Sequence, residues 1–291
     1  MQSTTPRERD VQGRTPLRIG AGFCALPCGG SRPGAARGLG VHNLERMVRR
    51  FREWSSTLLG AEGVQWVAVL LAIVGCSLGF VLLASEILEQ ETLGFDEAVV
   101  RAMRRADDPS VPIGPAWLRG AALDVTALGG VTVLTLVTLA VCGFLALVRH
   151  FRSLLLVLGS TVGGALLNSA LKALFARPRP TVVPHLAEAY APSFPSGHAM
   201  LSAIVYLTLG ALLAQLTESR WLKAYVLGVA VLLSFLVGLT RVFLGVHYLT
   251  DVVGGWMAGL AWALLTSLFA RAAKRRSPAL REEVRQGADA P

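Results

Sequence analysis

Six uncharged, apolar runs decide what this chain can fold into. They cover residues 66–85, 129–148, 153–171, 199–217, 224–240 and 252–270, each between 17 and 20 residues long. A helix needs about 20 residues, within a range of roughly 17–25, to cross the hydrocarbon of a bilayer. Helices of soluble proteins keep a polar stripe, and no soluble core accounts for six such runs together. Composition agrees: 53% of residues are hydrophobic and 16% charged, where soluble domains carry roughly 25% charged residues. The fold class that follows is all-α, a polytopic membrane protein with six transmembrane helices. A soluble enzyme and a disordered chain are excluded.

The net charge of +9 has to be located before it is read as a binding patch. An even number of spans puts both termini on one side. That side collects residues 1–65, the connections 149–152 and 218–223, and the tail from residue 271, with 20 basic residues between them; the other side has eight. Lys and Arg favour the cytoplasmic side, so both termini are expected there. The charge is a topology signal directed at an anionic inner leaflet, and no nucleic-acid partner is expected. The first run lies too far into the sequence for a signal peptide and has no cleavage site after it. It reads as a retained span of an inner (plasma) membrane protein.

Residues 1–60 form a basic segment rich in Arg, Gly, Pro and Ser, expected to be disordered; Met47 opens a natural lead-in to the first span. Residues 61–272 hold the spans, and 273–291 form a basic tail. Cys24 and Cys28 lack a second pair to complete a zinc site, and Cys76 and Cys142 lie in apolar runs as small hydrophobes. The outside loop, 86–124, reads as a short interfacial helix near Phe95–Arg105 followed by a turn at Pro109, Pro112 and Pro115. It is either a packing element over the bundle mouth or a substrate-shaping lid.

Three polar clusters sit at span ends, where ionisable residues are expensive. All fall on the same expected side. Lys172, Arg177 and Arg179 follow the third run, with Pro178 and Pro180 ending the helix. They are either cations snorkelling to the interface or phosphate donors, Arg with a planar fork and Lys as a point charge. Pro195-Ser196-Gly197-His198 precedes the fourth run. It is either an ordinary helix start capped by Ser196 or an anion site at a helix N-terminus, with His198 placed to move a proton. Arg241, His247 and Asp251 join the fifth and sixth runs. The spacing of four predicts that His247 and Asp251 share a helix face, as a resting ion pair or as a nucleophile with its orienter. Taken together, one pocket explains all three clusters. Its three cations, helix N-terminus and two imidazoles suit a phosphate, a nucleophile and an acid. No acidic cluster suited to Mg²⁺ or Ca²⁺ accompanies them, so the simpler expectation has no metal and no cofactor.

At this point the chain resembles the type 2 phosphatidic acid phosphatase (PAP2) superfamily, lipid phosphatases related to vanadium haloperoxidases. Lys172 with Arg179-Pro180 matches the first part of its signature, K-x6-RP. Pro195-Ser196-Gly197-His198 matches PSGH. Arg241, His247 and Asp251 match SR-x5-H-x3-D, with Thr240 where the family usually has Ser. The phrase beginning at Thr126 is also similar to the family. The resemblance implies a PAP2/haloperoxidase-like bundle and a set of roles. His247 would attack phosphorus, Asp251 would orient it, and His198 would protonate the leaving oxygen. Lys172, Arg179, Ser196, Gly197 and Arg241 would hold the phosphoryl oxygens. Arg177 lies outside the signature, and His42, His150 and His185 are expected to be incidental.

The expected activity is hydrolysis of a lipid phosphate or diphosphate at the extracytoplasmic face. The substrate would be undecaprenyl diphosphate, phosphatidylglycerophosphate or phosphatidic acid, with a leaning to the first or to a breadth covering all three. Two rivals remain. A lipid phosphotransferase would use the same residues, and a non-catalytic protein would only bind lipid phosphate. The oligomeric state is not legible.

Overall fold

The computed structural model describes residues 61–276. The expectations for residues 1–60, including Met47, Cys24, Cys28 and His42, lie outside the described residues, as does the tail beyond 276. Eight helices make up the described residues: α1 (Ala61–Leu88), α2 (Leu93–Ala102), α3 (Ala116–Ala127), α4 (Val131–Leu147), α5 (Phe151–Phe175), α6 (Gly197–Ala214), α7 (Arg220–Phe243) and α8 (Leu249–Arg276). The all-α membrane architecture is therefore as expected. Five helices, α1 and α5 to α8, are each long and apolar enough to cross a membrane.

The sixth span differs from the sequence reading. Residues 129–148 were expected to form one span by themselves, whereas α4 covers Val131–Leu147 and follows directly on α3. Taken with α3, to which it is bent by 44°, it makes up the sixth candidate span. The break falls at Gly129-Gly130, where Gly130 is extended at the start of α4. Two consecutive residues without side chains weaken helix continuity at that point. Helix α3 begins within the expected outside loop, at Ala116, and leads into α4; it was not anticipated.

Leu71, Val74, Leu78, Val81 and Leu82 of α1, and Leu136, Leu139 and Phe144 of α4, are exposed. Contiguous apolar surface on this scale is covered by lipid and not by water. The packed centre is α6 with α7 and α8. Ala199, Met200, Ala203 and Ile204 of α6 are buried almost completely. At Gly255 and Gly259 of α8, a side chain would collide with the carbonyls of Ser196 and Met200, at 2.7 Å from each. Small residues four apart let membrane helices approach at backbone distance. That approach is what places the Ser196 N–H 2.9 Å from the Asp251 carbonyl, to which it donates. The starts of α6 and α8 are thereby fixed to each other.

Helix α2 closes over this end. Val100 is fully buried in a cluster with Ala199, Val242, Tyr248 and Val252. Arg104 donates to the Phe243 carbonyl at 2.7 Å. The interfacial-helix reading needs correction on one face: Asp96 of α2 is fully buried. Of the two roles weighed for the loop, these contacts fit the packing element.

Candidate active site

Each helix end at this face brings one part of the site. Lys172 lies in the last turn of α5. Ala176, in the left-handed region at φ 45°, ends that helix and turns the chain into Arg177-Pro178-Arg179-Pro180. Ser196 is the N-cap of α6, with Gly197 and His198 in its first turn. Arg241 is in the last turn of α7, and Asp251 is in the first turn of α8. The fold brings the sequence-expected residues together at one end of the bundle.

His247 and Asp251 do not meet by sharing a helix face, as their spacing suggested. His247 lies in the turn before α8, which begins at Leu249. The two are joined by what Asp251 does as a cap. Its Oδ2 accepts the Tyr248 N–H at 2.8 Å, and His247 Nδ1 is 3.5 Å from the same oxygen. Ser193 completes the contact. Its hydroxyl donates to Asp251 Oδ2 at 2.5 Å and lies 3.3 Å from His247 Nδ1. On the other side of the ring, Nε2 is 3.2 Å from Nη1 of Arg179. A guanidinium only donates, so Nε2 carries the lone pair and Nδ1 the proton. The ring is 2% exposed. Burial pushes the His247 imidazole down to about 4, against the opposing pull of Asp251. Its neutral form is therefore favoured at physiological pH.

Arg179 is anchored by donating to the Ala191 carbonyl at 2.7 Å and the Val246 carbonyl at 2.6 Å. Burial holds its guanidinium below its ordinary value. Arg241 donates to Thr126 Oγ1 at 3.1 Å, which gives the Thr126 phrase a structural role. Lys172 Nζ donates to the Pro192 carbonyl at 2.5 Å. Among the described residues, no carboxylate lies within ion-pair distance of Lys172, Arg179 or Arg241. Lys172, Arg179 and Arg241 thus share one corner with the imidazole of His198. The Ser196 hydroxyl and Arg241 Nε are buried without a hydrogen-bond partner. Ser196 holds the N-cap position, yet its side chain does not cap the helix as expected; its buried hydroxyl stays free to bond. Thr240 donates to the Val237 carbonyl at 2.7 Å, so this hydroxyl serves its own helix.

Besides Ser193, sequence reasoning missed four residues. Arg177, set aside as lying outside the signature, is the hub of a buried network. Its Nη1 donates to Asp251 Oδ1 at 2.6 Å and to Thr250 Oγ1 at 2.8 Å, and its Nη2 donates to Asp96 Oδ2 at 2.8 Å. Thr250 in turn donates to Asp96 through both its N–H and its hydroxyl. The guanidinium stacks 4.5 Å from the Tyr248 ring centroid. Burial alone would lower the Arg177 pKa, but Asp251 and Asp96 hold it above its ordinary value. Asp96 lies 155 positions before Asp251, so no local pattern could connect them. Asn168 is the fourth: it is buried with Oδ1 unpartnered, close against Gly197, where an added Cβ would stand 3.2 Å from its Nδ2. It lies one turn before Lys172, a spacing that sequence alone offered. His185 donates to or accepts from nothing in this cluster; its Nε2 is 2.7 Å from the Pro180 carbonyl.

The charge inventory divides in two. Arg177 is neutralised by two carboxylates and is structural in its bonding. Lys172, Arg179 and Arg241 have no carboxylate partner among the described residues. The donors that converge here are cationic or neutral, a set suited to a phosphate and unsuited to a divalent metal.

Known proteins carry related sequences and a related fold. The PAP2 superfamily profile matches residues 153–275. The chain is 34% identical over 209 residues to phosphatidylglycerophosphatase B of Bacillus subtilis (strain 168), over 69% of this chain and 96% of that protein. It is 37% identical over 78 residues to the undecaprenyl-diphosphatase of Sulfolobus acidocaldarius, over 26% of this chain and 32% of that one. The crystal structure of a transmembrane PAP2-type phosphatidylglycerolphosphate phosphatase from Bacillus subtilis superposes with a TM-score of 0.63. It is 31% identical and covers 71% of this chain and 100% of its own.

Proposed function

This chain belongs to the PAP2 superfamily, and on that premise we propose that it hydrolyses lipid phosphates and diphosphates through a phosphohistidine on His247. The observation that carries the reading is the geometry around His247. Its Nε2 lone pair faces a corner of three cations free of carboxylate partners, while Nδ1 is held by Ser193 and Asp251.

Phosphoryl transfer needs positioning and electrostatic stabilisation more than covalent chemistry. Arg179, Arg241 and Lys172, with the free hydroxyl of Ser196 and the Gly197 N–H at the start of α6, bind the phosphoryl oxygens. His247 Nε2 attacks phosphorus as the bond to the leaving oxygen breaks, and His198, which takes up a proton once the negative charge of the bound phosphate offsets the three cations, gives that oxygen its proton. A phosphoramidate on His247 and a free lipid alcohol, or lipid monophosphate, result. His198, now neutral, takes a proton from water as the water oxygen attacks phosphorus. The N–P bond breaks and inorganic phosphate leaves, with His247 neutral and His198 protonated again. Asp251 steadies the positive charge that develops on the ring, and Arg177 with Asp96 holds Asp251 in place. No step requires a metal.

We assign the site to the extracytoplasmic face, with both termini cytoplasmic. The excess of basic residues at the opposite ends of the spans supports this. The names of the two relatives support a substrate range that includes phosphatidylglycerophosphate and undecaprenyl diphosphate, and phosphatidic acid is the third candidate. Phosphate release from each, with purified protein in detergent and excess EDTA, tests the reading. Release that resists EDTA and vanishes in His247→Ala is expected. Release abolished by EDTA, or retained in the variant, would overturn it. Phosphate found on an acceptor lipid would favour transfer over hydrolysis.

A further inference from the structure

The opposite end of the bundle holds a second meeting of charge and cavity. Nearly the whole of α5 separates Ser153 from Lys172, on the order of 28 Å at 1.5 Å per residue. A cavity of about 390 Å³ opens at the Ser153 end. Its lining includes His150, Arg152 and Arg271, together with Trp66, Gln215 and Ser267. A second hollow, of about 980 Å³, shares Arg152, Leu156 and Ala270 with the first. It continues past Leu155, Gly159 and Phe269, along α5 and α8. Among the described residues, those that line the two hollows include no carboxylate.

The two hollows differ in chemistry. At the mouth are two guanidiniums, an imidazole and the first turn of α5, whose N–H groups and dipole favour an anion. The second is apolar along its length. The hydroxyls in its wall are consumed: Ser160 lies 3.2 Å from both Thr208 and Thr266. Leu155, Gly159 and Phe269 are themselves exposed on the lipid-facing surface. An anionic head beside an apolar groove that opens to hydrocarbon has the shape and charge order of one molecule, a phospholipid.

We propose that this end of the bundle binds an anionic phospholipid, with its head group at Arg152, Arg271 and His150 and an acyl chain in the groove between α5 and α8. The lipid bridges the two helices whose far ends carry Lys172 and Asp251. This site is distinct from the candidate active site and does not depend on the reading given for it.

Native mass spectrometry from a neutral detergent tests the proposal, with dioleoylphosphatidylglycerol, dioleoylphosphatidylcholine and sn-glycerol 3-phosphate as probes. The wild type should retain one phosphatidylglycerol at a concentration about tenfold below that needed for phosphatidylcholine, and should not retain glycerol phosphate. The double variant Arg152→Gln/Arg271→Gln should lose the preference for the anionic lipid. Gly159→Leu should weaken retention by about tenfold. A Cβ at Gly159 meets open space, so this change fills the groove without a clash and keeps the test available if the double variant folds poorly. Arg179→Gln, at the other end, should leave retention of that lipid unchanged. The proposal is overturned if the wild type holds both lipids alike. It is also overturned if glycerol phosphate binds as tightly as the lipid, or if Arg179→Gln removes the lipid while the Arg152/Arg271 variant keeps it.

Discussion

Replacing Arg177 with Met tests the buried network most severely. The guanidinium is 9% exposed, and both of its carboxylate partners, Asp96 and Asp251, are fully buried. Met replaces the aliphatic stem of the side chain but removes the guanidinium, its charge and three hydrogen bonds. Two carboxylates would be left in a dry interior with only hydroxyl and N–H donors. Breaking a buried ion pair by removing one partner costs about 3–5 kcal/mol. At 2–4 °C per kcal/mol for a chain of this size, the midpoint of thermal unfolding should fall by roughly 6–20 °C. Arg177→Lys should recover little, because a single ammonium cannot reach both acids as the two nitrogens of the fork do. The sharper test is the double variant Arg177→Met/Asp96→Asn. It removes one of the stranded charges, so its loss should be smaller than the sum of the two single losses, by on the order of 0.5–3 kcal/mol. The assay is thermal unfolding in detergent, with kcat read in parallel because Asp251 also orients His247. Wild-type stability in Arg177→Met, or strict additivity in the double variant, would refute the network as the device that holds Asp251.

Three further predictions concern the site and its frame. Histidine labelled with ¹⁵N should show His247 neutral from pH 8 to below 6.5, because burial depresses its pKa to about 4; a ring that titrates between pH 6 and 7 would contradict the burial argument. Arg241→Lys removes the fork that binds Thr126 and leaves Nε for the ligand; kcat should fall by about 10²–10³-fold, the size of one lost transition-state donor, with only a small change in thermal stability. Gly245→Ala should destabilise the turn before His247, because φ is +73° there and a Cβ would meet Val183 at 2.9 Å; strain of about 1–2 kcal/mol from the left-handed backbone alone should lower the unfolding midpoint measurably.

The spans were legible because hydrocarbon imposes a length and a composition that no soluble fold shares. The Lys172, Ser196 and His247 clusters were legible because ionisable residues at span ends need a reason. The bend between α3 and α4 was visible only as Gly129-Gly130, two residues that serve equally well inside a span. The function of Arg177 was not legible, because its partner Asp96 belongs to a loop helix far away in the chain and its other partner, Asp251, already had a role. The pairing of His247 with Asp251 was right in outcome and wrong in means. A spacing of four suggested a helix, whereas a capping carboxylate and the hydroxyl of Ser193 make the contact. Ser193 stands two residues before the Pro195 that opens the expected motif and offered no signal of its own.

The central claim is that phosphorus is carried on Nε2 of His247. Single-turnover reaction with a ³²P-labelled lipid phosphate, stopped in alkali to preserve phosphoramidate, tests it directly. The account predicts label on the peptide that contains His247, more of it in His198→Ala if loss of the base slows hydrolysis, and none in His247→Ala. Full turnover with no label on protein, or label on any other residue, would contradict it.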